Sequence, residues 1–81
     1  MNKTLGLDNK IREMAKRIRE LREIVGISVE EMAEKTGVSL EEYIACEEGK
    51  SDLNFAFIYR CAGAFGVNVT DIIAGHSPTL R

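Results

Sequence analysis

Two serines eleven residues apart, Ser28 and Ser39, are each followed three residues later by a glutamate, Glu31 and Glu42, and this pair of signals constrains the 81-residue chain more than any other feature. Ser-x-x-Glu ahead of an amphipathic run marks a helix start: the hydroxyl accepts a free backbone N–H and the carboxylate reaches back to the cap. Eleven residues leave room for one short helix and a reversal between the two caps. Gly37 stands where the first helix must end, a place where a left-handed backbone is cheap only for glycine. Met32, Ala33, Val38, Tyr43 and Cys46 fall on the faces that two crossing helices press together, with Ala33 at the closest approach. A larger side chain there would force the helices apart at a cost of about 1–3 kcal/mol.

Residues 28–48 therefore read as a helix-turn-helix, whose second helix enters a DNA groove. The pattern also suits a plain helical hairpin, but the small residue, the glycine and the two caps together favour the DNA motif. Upstream, Ile11, Met14, Ile18, Leu21 and Val25 recur at steps of three and four, predicting a helix from Asp8, its cap, to Val25 with Gly26 as its stop. Downstream, the polar loop Gly49-Lys50-Ser51-Asp52 leads to Asn54, a cap for a helix carrying Phe55, Ile58, Cys61, Ala62 and Phe65 and closed by Gly66. Asn68 with Asp71 caps a last short helix through Ile72 and Ile73. The expected fold is all-α, a compact domain of five helices over residues 8–74, with an amino-terminal arm at 1–7 and a tail or start of a linker at 75–81.

Composition narrows the function classes. The chain has no eighteen-residue apolar run and no charged-then-apolar amino terminus, so neither a membrane span nor a secretory signal is indicated and a cytoplasmic protein is expected. Cys46 and Cys61 lie within apolar helical patterns, which favours free buried thiols over a metal site or a disulfide. His76, the only histidine, sits in a Gly-His-Ser-Pro tail and reads as solvated. With no second histidine, glycine-rich phosphate loop or aspartate pair, an enzyme is the weakest hypothesis, and no catalytic residue, cofactor or metal is expected. Charge is unevenly divided. Residues 1–22 hold seven lysines and arginines against three acids, a net of +4, whereas residues 28–48 hold seven glutamates against the single Lys35.

The stretch from Ile18 to Ile73 resembles the lambda repressor and Cro-like, or XRE-type, helix-turn-helix regulators. The match is carried by Ile-Arg-Glu-Leu-Arg at 18–22, Gly26-Ile27-Ser28, Met32-Ala33, Thr36-Gly37-Val38-Ser39, Glu47-Glu48-Gly49-Lys50 and Phe65-Gly66-Val67. The resemblance implies a five-helix domain that binds double-stranded DNA, usually as a homodimer on a palindromic operator. It implies an ion pair between Arg22 and Glu47, with Arg22 a candidate phosphate contact as well. It implies base contacts from the start and middle of helix 3, here Leu40, Glu41, Ile44 and Ala45. Val29 stands where the family usually has a glutamine that donates to phosphate, and valine has no such donor. Phosphate contacts are expected from the helix starts at Ser28 and Ser39, from Lys50, and from Arg17 and Arg19 on the basic first helix. The family often dimerises through its last two helices, which makes Phe57, Tyr59 and Ile73 the candidate interface.

An acidic recognition helix opposes DNA binding, because carboxylates within about 8–10 Å work against phosphate neutralisation. A second reading is therefore a protein-interaction module on the same fold. A third is that the tail links this domain to an effector-sensing domain outside the chain, in which case the function would depend on that neighbour.

Overall fold

The computed structural model of the chain describes the backbone of residues 2–74 and the side chains of residues 9–74. Five helices follow in order: α1 Asn2–Val25, α2 Val29–Thr36, α3 Leu40–Glu47, α4 Phe55–Phe65 and α5 Val69–Ile73, with no strand among the described residues. His76 and the tail 75–81 lie outside them.

α1 is longer than its expected span. It begins at Asn2, so residues 2–7 are not an arm and Asp8 is not a cap. Leu7 precedes Ile11 by four, which carries the apolar period upstream, and no proline interrupts the run. Gly6 costs only about 1 kcal/mol relative to alanine and does not stop it. At the other end the N–H groups of Gly26 and Ile27 both bond to Arg22 O, at 2.8 and 3.1 Å, and close the helix where expected.

The two serine caps form by half. Ser28 Oγ accepts from Glu31 N at 3.1 Å and Ser39 Oγ from Glu42 N at 3.0 Å. The glutamates turn elsewhere: Glu31 faces Lys35 at 3.7 Å, and Glu42 accepts from Ser51 Oγ at 2.9 Å. Gly37 adopts φ 76°, and both its own N–H and that of Val38 return to Ala33 O. That left-handed turn sets α3 across α2. Asn54 Oδ1 caps α4 by accepting from Phe57 N at 2.8 Å, and Asn68 N donates to Asp71 Oδ2 at 2.9 Å at the start of α5.

One core unites all five helices: Met14, Ile18 and Leu21 of α1, Met32 and Ala33 of α2, Tyr43 and Cys46 of α3, Phe57, Ile58, Cys61, Ala62 and Phe65 of α4, and Ile72 of α5. The Tyr43 and Phe57 rings meet with centroids 5.8 Å apart. Phe57 is only 5% exposed within a single chain, so this expected dimer residue has no surface to offer a partner. The period explains it: Phe57, Ile58, Cys61 and Phe65 share the inner stripe of α4, and Phe55 and Tyr59 the outer one. Two basic side chains tie the helix ends together. Arg60 of α4 donates to Thr36 O at the end of α2, at 3.2 Å, and Arg17 of α1 donates to Ile72 O in α5, at 2.7 Å.

Both cysteines are buried and free. Burial raises the Cys61 thiol to about 12, and burial together with the Glu42 carboxylate raises Cys46 to about 11. An unfolded chain ionises its thiols near pH 9 while the folded chain holds its protons, so the unfolded state binds fewer protons above that pH and stability falls as pH rises. The urea midpoint is therefore expected to hold up to about pH 8.5 and to drop between pH 9 and 11, with a shallower drop in Cys46→Ala/Cys61→Ala. A midpoint that stays flat over that range would contradict the buried, protonated thiols.

Candidate nucleic-acid interface

The expected ion pair is present, and it is more than a pair. Arg22, in the last turn of α1, approaches Glu47 at the end of α3 as a fork, with Nε at 2.5 Å from Oε2 and Nη2 at 3.2 Å from Oε1. Its remaining nitrogen, Nη1, donates to Ile27 O at 3.0 Å, just before α2 begins. Tyr43 Oη donates to Glu47 Oε2 at 2.6 Å from within the core. The Arg22 and Glu47 side chains are 15% and 6% exposed. Hydrogen bonding to Glu47 holds the Arg22 guanidinium above its ordinary range, and burial followed by the Glu47 contact pushes the Tyr43 phenol well up. With all three guanidinium nitrogens engaged, Arg22 is a structural clamp.

That clamp fixes which residues of the helix-turn-helix face outward. Leu40 and Ile44 are each 38% exposed, Glu41 and Glu48 are exposed, and Ala45 is half-buried. Ser28 and Ser39 are exposed. Each uses an oxygen lone pair for capping, which leaves the hydroxyl proton free to donate. Val29 is half-buried and packs against the core. Arg17 donates to Ile72 O and lies 4.0 Å from Glu13. Arg19 and Lys50 remain exposed, Lys50 at 3.3 Å from Glu48.

Two basic residues absent from the sequence-based candidates join them. Arg12, Lys16, Arg19 and Lys50 line one groove of about 370 Å³ together with Glu47 and Glu48. The i, i+4, i+7 spacing of 12, 16 and 19 was the available signal. On α4, Tyr59 is exposed as expected and stacks on Phe55, with centroids 6.2 Å apart, while Ile73 is half-buried against the core. Among the described residues no cluster of His, Cys, Asp and Glu could hold a metal ion, and no helix is long and apolar enough to cross a membrane.

Comparison with known proteins agrees with this geometry. Residues 15–78 match the family model described as a helix-turn-helix domain. An uncharacterized HTH-type transcriptional regulator of Archaeoglobus fulgidus is 36% identical over 59 residues, covering 73% of this chain and 84% of that protein. A second one, from Methanocaldococcus jannaschii, is 34% identical over 59 residues, covering 73% of this chain and 89% of its own length. No solved structure is significantly similar. The chain belongs to the helix-turn-helix family, as an XRE-like DNA-binding regulator.

Removing either partner of the clamp strands the other in a mostly buried site. Arg22→Ala and Glu47→Ala are each expected to lower unfolding free energy by about 3 kcal/mol, near the low end for buried pairs because Arg22 keeps some solvent. The double variant should lose clearly less than the sum, as a urea-denaturation cycle would read out. Additive losses would mean that the two side chains act separately.

Proposed function

We propose that the chain reads a specific duplex DNA sequence as a homodimer and represses by occupying a palindromic site in the cytoplasm, acting by binding and not by catalysis. The observation that carries this reading is the outward face of α3, held at a fixed angle by the Arg22–Glu47–Tyr43 clamp between two serine-capped helix starts. Leu40 and Ile44 suit thymine methyl groups, and Glu41 suits a cytosine N4 amine. The helix starts direct N–H groups toward phosphates. A dimer seated on its site excludes other proteins from the same DNA, and that exclusion is repression.

The outer stripe of α4 supports the dimer. Phe55 and Tyr59, each 63% exposed, stand one turn apart, and Gly63 one turn further on has nothing within 4 Å of an added Cβ. Gly63 opens onto a shallow groove of about 300 Å³ that also borders Tyr59, Val67 and Val69. Reversed about Tyr59, the order of ring, ring and hollow is its own complement, as a two-fold interface requires: Phe55 of one copy falls on Gly63 of the other. To read a palindrome, such a dimer has to present two copies of α3 about 34 Å apart, one turn of DNA. Tyr59→Asp is expected to sediment as a monomer and to lose most of its affinity for a palindrome while keeping its helical content. A Tyr59→Asp protein that remains dimeric would reject this interface.

Selection from random duplex DNA at two salt concentrations tests the reading as a whole. A palindrome should be enriched, with affinity falling as salt rises. The glutamate-rich surface of α2 and α3 favours one competing reading, a basic protein partner, and retention of no DNA at low salt would count for that reading instead.

A further inference from the structure

We infer that Arg12, Lys16, Arg19 and Lys50 form a phosphate track for duplex DNA, which supplies from α1 the attraction that the acidic α3 lacks. The inference rests on the DNA-binding reading and deepens it. At 100° per residue, positions 12, 16 and 19 fall within about 60° of one another, and they span about 10 Å along the helix axis. Lys50 reaches the same place because of Gly49. That glycine has φ 74°, and a Cβ on it would stand 3.1 Å from Arg12 Cγ and 3.4 Å from Arg12 Cα, so the loop lies directly on α1. The four cations thereby line one groove at the C-terminal end of α3.

The balance of charge in that groove is positive. Glu47 is already neutralised by Arg22, and Glu48 lies 3.3 Å from Lys50. Lys16 and Arg19 have no carboxylate within 4.0 Å among the described residues. α1 therefore divides its cations by job. Arg17 and Arg22 are spent on Ile72 O, Ile27 O and Glu47, and the 12, 16, 19 face is left to solvent. The shape selects the ligand class. A single small anion cannot touch cations spread over about 10 Å, whereas one DNA strand presents successive phosphates along such a span. The groove adjoins the end of α3, so a strand passing the base-reading face meets it next.

The test compares two variants that change net charge equally. Lys16→Gln/Arg19→Gln removes two cations of the track. Lys10→Gln/Lys35→Gln removes two exposed cations outside it, Lys10 lying on the far side of α1 and Lys35 on α2. Fluorescence anisotropy with a 20-base-pair duplex of unselected sequence, from 50 to 200 mM salt, gives the slope of log affinity against log salt. The track variant should reduce that slope by about 1.8, so that the affinity lost over the salt range shrinks by about 12-fold, while the control pair keeps the slope of the parent chain. Equal changes in both pairs, or none in either while the parent binds, would overturn the track and leave the DNA reading standing. A parent chain that binds no duplex at 50 mM salt would overturn both.

Discussion

The carboxylate of Glu47 receives Arg22 from α1 and Tyr43 from its own helix, and this buried contact sets where α3 stands. A helix of eight residues has little stability of its own, so its position has to come from tertiary contacts. Cys46 and Tyr43 supply apolar packing that turns one face of the helix inward. A bidentate guanidinium–carboxylate bond adds direction, because both partners are planar and the fork has one good alignment. Since Arg22 also donates to Ile27 O, the same side chain anchors the turn from which α2 begins. One arginine in α1 thus holds both helices of the motif, whose crossing is set by the turn at Gly37.

That arrangement separates structural charge from functional charge. In sequence, residues 1–22 present seven cations with nothing to tell them apart. In the fold, Arg17 caps the end of α5 and Arg22 locks α3, whereas Arg12, Lys16 and Arg19 share an open face with Lys50. The motif itself has one of its seven glutamates neutralised in the core, and Glu31 and Glu48 lie beside lysines. Glu41 remains as an acceptor on the outward face. On the proposed reading, an acidic helix beside a basic flank splits the task between two surfaces, with attraction supplied by α1 and discrimination by α3.

Much of this was legible in the sequence because short-range chemistry decides it. The caps at Ser28, Ser39 and Asn54 and the left-handed turn at Gly37 depend on residues within four positions of each other, and they form where expected. The inward direction of Tyr43 and Cys46 follows from helical period alone. The errors lie where long-range contacts decide. The bond from Arg17 to an acceptor 55 residues away is one such contact, and nothing in the local pattern announces it. Phe57 lies between the two exposed aromatics Phe55 and Tyr59, yet it completes the core against Tyr43, which fixes the rotation of α4. α1 starts upstream of Asp8, a good cap residue, because the apolar period continues through it.

The central claim, that a clamped helix-turn-helix and the basic face of α1 engage DNA together, is tested most directly by amide chemical shifts of the isotope-labelled chain during titration with its selected duplex. The account predicts that the largest changes cluster at residues 28–30, 39–45 and 49–50 and along 12–19 of α1, with α5 little affected. Changes confined to the outer face of α4, or their absence from both α1 and α3 under conditions where the duplex is bound, would contradict it.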